Sequence, residues 1–305
     1  MNRYRVGAVG LTSEIRFETL APADEAGLVL FTLEQRSALP DRLLEALFSL
    51  PHREGEVRPF LTVSRGDEGY LLALDNVGRF LVAPGKIAFC LDEHASALGL
   101  EQALVDQVLP RALHLAGKPS LHASAAWLEG FGAIAFTGDS GAGKSTLCAA
   151  FARRGRLVSD DSLSLEVTRE GIFALPGYPS LRLWPDAAKA FAPTPSALHR
   201  ATPRNPKLRM PASLVTGPVP LRAILVLERH DAPTPRLEPL HGQAAFVALQ
   251  KQVHRLAPDD PTALAAEFNL LSNVVGRGCV MRLCYRPQLE AIEELTDLVL
   301  KHLTR

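Results

Sequence analysis

Net charge is what this chain most plainly lacks. Its 33 Lys and Arg are balanced by 33 Asp and Glu. Proteins that hold nucleic acid usually draw affinity from a basic surface, so nucleic acid is not an expected partner. Long apolar runs are missing as well. No stretch approaches the roughly 20 apolar residues that a membrane span needs, and no membrane partner is expected. The opening MNRYRVGAVGLTSEIRFETL has no continuous apolar core of the kind a secretory signal carries. Cysteines are few and scattered: Cys90, Cys148, Cys279 and Cys284 form no CxxC pair. The nine histidines include no HExxH. These absences speak against a disulfide scaffold or a common zinc site, and the expected setting is a reducing cytoplasm. No internal repeat or low-complexity tract is present.

What is there is enough to fold. The chain has 305 residues and 47% hydrophobic content, sufficient for a sizeable core in one large domain or two ordinary ones. Residues 1–118 read as a strand-rich region. Pro59–Ser64, Tyr70–Leu74, Arg79–Ala83 and Lys86–Leu91 are short apolar runs separated by turn residues, which predicts an antiparallel meander. An amphipathic helix is expected from about Leu98 to Ala116. Gly117-Lys118-Pro119 marks a boundary. Beyond it, 119–305 reads as a second domain of α/β (α+β) type, with strands at 156–161, 163–183, 221–228 and 279–285. Helices are expected at about 242–256, at 261–275 and after Pro287. Residues 192–220, rich in proline and basic side chains, read as a long loop carrying Arg200, Arg204, Lys207 and Arg209.

The most informative segment is Gly138-Asp139-Ser140-Gly141-Ala142-Gly143-Lys144-Ser145. An apolar run, Gly132 to Thr137, leads in as a buried strand, and Thr146 to Arg154 leads out as a helix. A bare match of this kind also fits a structural turn; the flanking strand and helix favour a phosphate-binding loop. Its glycines permit a tight turn that aims backbone N–H groups at phosphate oxygens, and the helix start adds its positive dipole end. Lys144 can reach terminal phosphates, and Ser145 can ligate magnesium.

Two further elements stand near the loop. Ser159-Asp160-Asp161-Ser162 ends the next strand in two carboxylates, where one can hold a metal ion and the other accept a hydroxyl proton. A solvated Asp-Asp turn is the plain alternative. His122, in Leu121-His122-Ala123-Ser124, precedes the loop. On spacing alone it fits a packed histidine as well as a catalyst.

Taken together, Leu121 to Ser124, Gly138 to Ser145 and Val158 to Asp161 resemble the catalytic domain of the HPr kinase/phosphorylase family, a P-loop fold with a mixed sheet. Phosphoenolpyruvate carboxykinase is its distant cousin. The likeness is strongest from Leu121 to Asp161 and loose beyond. It implies ATP and Mg²⁺, with His122 and one of Asp160 and Asp161 in proton transfer. Lys144, Ser145, Asp161 and the loop with Thr146 would hold phosphate and metal, and Lys207 and Arg209 are similar to a basic stretch that contacts phosphate or substrate. It also implies a homo-oligomer. The C-terminal signature tied to phosphorolysis is not found. The small strand-rich region ahead of Leu-His-Ala-Ser is closer to kinase-like proteins of peptide-modification clusters, some of which resemble lasso-peptide serine kinases. The expected activity is therefore transfer of the γ-phosphoryl group of ATP to a serine of a peptide or small protein. A small-molecule or carboxykinase-type phosphotransferase and a non-catalytic nucleotide-binding regulator are the alternatives.

Overall fold

The computed structural model describes residues 1–23, 28–39, 45–51, 59–192, 198–200, 206–231 and 234–304. It is a mixed α/β structure with several sheets, and it divides into two compact units. The first comprises Met1–Pro119 with His254–Glu267, and the second Ser120–Val253 with Phe268–Arg305.

In the first unit the described residues form β1 (Asn2–Val6), β2 (Val9–Ser13), β3 (Ala21–Pro22), β4 (Val29–Gln35), β5 (Glu45–Pro51), β6 (Pro59–Gly66), β7 (Gly69–Leu74), β8 (Gly78–Ala83) and β9 (Lys86–Leu91). They make one nine-stranded sheet in the order β3-β1-β2-β4-β9-β8-β7-β6-β5. The antiparallel run β6 to β9 is the expected meander. The five strands before Pro59 were not expected. Alternation explains the register: in β6, Leu61 and Val63 are fully buried while Thr62 between them is partly exposed. Phe80 and Phe89 stack at 5.9 Å in the core.

The helix expected over 98–116 is interrupted. It runs as α1 (Ala97–Ala103), a π turn at Leu104–Val108, and α2 (Leu109–Leu115). Pro110 sits in the first turn of α2 and has no N–H to give the carbonyl one turn back, so the hydrogen-bond ladder shifts there.

The second unit begins with β10 (Ser120–Leu121), β11 (Ala123–Leu128), β12 (Gly132–Thr137), α3 (Lys144–Ala152), β13 (Arg156–Ser159), β14 (Leu163–Val167), β15 (Ile172–Ala174), β16 (Ser180–Leu183) and α4 (Pro185–Phe191). It continues with β17 (His199–Arg200), β18 (Leu208–Pro211), β19 (Val219–Arg229), β20 (Arg236–Pro239), α5 (Gly242–Gln250), β21 (Val280–Tyr285) and α7 (Ile292–Leu303), and with the part of α6 (Pro261–Gly276) that follows Glu267. The central sheet runs β10-β14-β15-β19-β12-β11-β13, with β21 on β19 and β20 on β21. β19 pairs in parallel with β12 and with β21. The stretch 192–220, read as a long loop, contains β17, β18 and the start of β19, and β17 and β18 join β16 in a three-stranded sheet. Residues 193–197 and 201–205, Arg204 among them, lie outside the described residues.

β12 shows why this sheet is buried on both faces. Ile134 and Phe136 face a core shared with Leu147 and Phe151 of α3 and Val299 of α7. Ala133 and Ala135 face the opposite core, with Leu249 of α5 and Leu271 and Val274 of α6. A continuous apolar run is what a strand between two helical layers requires.

The sequence placed 119–305 in one continuous second domain, whereas His254–Glu267 packs within the first unit. A polar network joins this segment to the rest of the unit. His114 Nε2 lies 3.2 Å from Glu267 Oε2, Arg255 Nε donates to the same oxygen at 2.8 Å, and the Tyr70 hydroxyl donates to Asp259 at 3.0 Å. Burial pushes the Glu267 carboxyl up, but the hydrogen bonds from Arg255 and His114 outweigh it and leave the group below its ordinary value.

Candidate active site

The three sequence elements meet at one edge of the central sheet. β11 lies between β12 and β13 and is antiparallel to both. Ala123 faces Thr137 at the end of β12, and Ala125 faces Ser159 at the end of β13. The Gly138–Ser145 loop and the carboxylate pair therefore leave the sheet on the same side, one strand apart. His122 sits at this edge too. Its N–H donates to Gln252 O at 2.6 Å, and its carbonyl accepts from Thr137 Oγ1 at 3.0 Å.

The loop runs from the end of β12 into α3, as the motif demands. Gly138, Gly141 and Gly143 all have positive φ, and Gly143 caps α3 at φ 104°. A Cβ on Gly138 would lie 2.8 Å from the Leu227 carbonyl, and one on Gly143 2.2 Å from the Tyr285 hydroxyl. Both positions thus need glycine for space as well as conformation. Asp139 and Ser140 are exposed, Ala142 is buried, and Ser145 and Thr146 are partly buried at the start of α3.

Lys144 is only 6% exposed. Its ammonium donates to Gly138 O at 2.8 Å and Asp139 O at 3.0 Å. Burial, and then the charge of Lys207, bring its pKa down to about 8, against a weaker upward pull from Asp160 and Asp139. A buried cation bonded to two neutral carbonyls is a site short of negative charge, and a polyphosphate supplies that charge.

The carboxylates are held by different donors. Asp160 accepts from Ser124 Oγ at 2.6 Å and from the backbone N–H of Arg182 at 2.8 Å. Asp161 has φ 66°, a left-handed conformation that aspartate tolerates better than most residues, and its carboxylate pairs with the Arg182 guanidinium. Both side chains of that pair are largely buried.

Of the basic residues of the expected loop, Arg200 lies on β17, Lys207 just before β18 and Arg209 on β18. Arg209 is the register partner of Arg182 across β16 and β18, and its guanidinium stacks 4.7 Å over the Tyr178 ring while donating to that hydroxyl. Lys207 lies 5.9 Å over the ring of the half-exposed Trp184.

A magnesium ion fits this donor set in one way. Among the described residues no cluster of three or more His, Cys, Asp or Glu side chains could hold a metal by itself. Magnesium is commonly held by one or two carboxylates together with substrate phosphates. Ser145 and the Asp160-Asp161 pair, beside a phosphate loop, are a set of that kind.

Sequence reasoning missed several residues that shape the site: Ser124, Tyr178, Arg182, Arg229 and Tyr285. Ser124 had a usable signal, being two residues from His122 in an extended segment and so on the same side of the chain. The others are brought in by strand pairings that leave no local trace.

No family model matches this chain, and no curated protein matches its sequence. Among solved structures, the Hpr(Ser) kinase/phosphatase from Coxiella burnetii matches over 60% of this chain and 95% of that one, at 15% identity and a TM-score of 0.31. That likeness is too remote to carry any part of the functional argument, which rests on the residues of the site.

Proposed function

We propose that this protein is an ATP-dependent kinase that transfers the γ-phosphoryl group to a serine hydroxyl of a peptide or small protein. The observation that carries the reading is the convergence of Lys144 on its loop with Asp160 and Asp161, brought to one sheet edge by the β12-β11-β13 pairing. The motif resemblance from Leu121 to Asp161 supports the same class.

In this reading the loop amides and Lys144 bind the phosphate chain. The acceptor oxygen attacks the γ phosphorus, the bond to the β–γ bridging oxygen breaks, and ADP leaves. Asp160, held in place by Ser124 and the Arg182 amide, takes the hydroxyl proton, with His122 close by at the same edge. Mg²⁺, held by Ser145 and Asp161, would neutralise charge on the phosphates. Arg182, relieved of Asp161, is then available to the transferring group. Lys207 and Arg209 lie on the strand pair beside these residues and would contact phosphate or an acidic acceptor. Little covalent chemistry is asked of the protein; positioning and charge neutralisation supply the rate. The strand-rich first unit is the proposed docking region for the acceptor, since an extended peptide can add to an exposed strand edge.

The test is transfer of label from γ-labelled ATP and Mg²⁺ to a panel of serine-containing peptides and small proteins, with metabolites as a parallel set. Labelled phosphoserine that disappears in Lys144→Ala is the expected result. Labelling of a metabolite and no peptide, or tight ATP binding with no turnover on any acceptor, would overturn the reading.

A further inference from the structure

We infer that Tyr285 and Arg229 form a rear clamp on the phosphate loop, a pair of positioning residues that fix the direction of two consecutive peptide units and so preset the loop for a nucleotide polyphosphate. The inference rests on the nucleotide-binding part of the reading above, and nothing in the sequence motif points to either residue.

The two residues face each other in register at the ends of the parallel strands β19 and β21. Each donates one side-chain hydrogen bond to the loop. The Tyr285 hydroxyl donates to Ala142 O at 2.6 Å, and the Arg229 guanidinium donates to Gly141 O. A trans peptide unit is planar, with its C=O and N–H on opposite sides. Holding the Ala142 carbonyl on Tyr285 therefore turns the Gly143 N–H to the far side. Holding the Gly141 carbonyl on Arg229 turns the Ala142 N–H away, where it closes the loop's own turn on Asp139 O at 3.1 Å. From the front, Lys144 holds the Gly138 and Asp139 carbonyls. Four loop carbonyls thus have fixed directions before any ligand arrives, and pre-organisation of this kind reduces the ordering cost of binding.

Tyr285 is suited to the task. It is 5% exposed, and burial pushes its pKa up to about 12, so the hydroxyl stays a neutral donor across the physiological range. The fit is close: the absent Cβ of Gly143 would fall 2.2 Å from its oxygen. Glycine is required there because the phenol occupies the space behind the loop.

The experiment measures Mg·ATP affinity by calorimetry and the melting of the nucleotide-free protein, on the full chain. Tyr285→Phe keeps the ring and removes only the donor. It should weaken ATP binding about three- to tenfold, on the scale of one lost hydrogen bond, and, because the bond is present without ligand, lower nucleotide-free melting by a few degrees as well. Arg229→Gln, at an exposed side chain, should act in the same direction and serves if Tyr285→Phe does not fold. Gly143→Ala should bind ATP more weakly than either, and Gly143→Ala combined with Tyr285→Phe should recover part of that loss because the colliding oxygen is gone. ATP affinity unchanged in both Tyr285→Phe and Arg229→Gln, or a lowered melting temperature with unchanged affinity, overturns the clamp and leaves the nucleotide reading standing. A wild-type chain that binds no nucleotide overturns both.

Discussion

Ser124 Oγ donates a 2.6 Å hydrogen bond to Asp160 Oδ1, and both residues are buried. The length is that of a charge-assisted O–H···O⁻ bond. It ties the strand entering the site to the carboxylate pair that closes it. Ser124→Ala should lower the phosphoryl-transfer rate about tenfold, since hydrogen bonds to charged groups contribute about 1.5–3 kcal/mol. ATP affinity should change less than the rate. Initial rates at saturating ATP, compared with calorimetric affinity, check this. A wild-type rate in the variant would remove Asp160 from the chemistry.

Lys144→Ala should reduce transfer by about 10²–10³, the usual cost of losing a charge partner in the transition state. The measurement is single-turnover transfer from γ-labelled ATP. Transfer at the wild-type rate would displace the site from this loop.

The ionisation of Lys144 gives a pH signature. Its pKa of about 8 in the nucleotide-free protein is depressed chiefly by burial. In the free state the amine is therefore largely neutral above about pH 8. Bound phosphates favour the charged form, so binding at pH 8.5 should take up protons, and uptake should shrink towards pH 7, where the amine is already charged. Without nucleotide the sign is that of a lysine whose folded pKa lies below its unfolded value. The unfolded chain binds more protons between about pH 8 and 10.5, so this group makes stability rise with pH across that window. Calorimetry in buffers of different ionisation enthalpy measures the uptake, and Lys144→Met should abolish it. Equal uptake in the variant would assign the proton elsewhere.

Activity should require Mg²⁺ or Mn²⁺ and stop on chelation. Asp161→Asn should raise the metal concentration needed for half-maximal rate, while Asp160→Asn should lower the rate at saturating metal. Metal titrations of the two variants decide it, and equal losses with identical titrations would reject the division of roles.

Arg209 lies beside Arg182 across a strand pair, and the charge of Lys207 is felt by Lys144. The double variant Lys207→Ala with Arg209→Ala should therefore lower the transfer rate by more than it lowers ATP affinity. An unaltered rate would return this strand to a purely structural role.

The strand-loop-helix around Gly138–Ser145 was legible in the sequence because its geometry is written locally. Glycines, a lysine and a helix start within eight residues specify backbone conformation directly, and the strand and helix around it fall where the sequence put them. The carboxylate pair was legible for the same reason, as the end of a short apolar strand. Arg182 was not. Its approach to Asp160 and Asp161 depends on where β16 runs, which no residue near Arg182 announces. Tyr285 closes an ordinary apolar strand, and only its parallel pairing with β19 brings it behind the loop. The strands before Pro59 were missed for want of a clear boundary and not for want of length: β4 alternates, with Phe31 and Leu33 buried about an exposed Thr32, but the apolar Val29 and Leu30 ahead of them blur the period. The placement of 254–267 was missed because a buried Glu-Arg-His network reads, in sequence, as ordinary surface charge.

Because His254–Glu267 belongs to the first unit while the residues on both sides of it belong to the second, no single cut in the chain separates the two. A chain that begins at Lys118 keeps Glu267 and Arg255 but lacks His114, and retains Asp259 without Tyr70. Exchange of the first unit with that of a related protein needs junctions after Pro119, before His254 and after Glu267, and the last falls within helix α6. A single crossover would leave a carboxylate from one parent facing a helix from another.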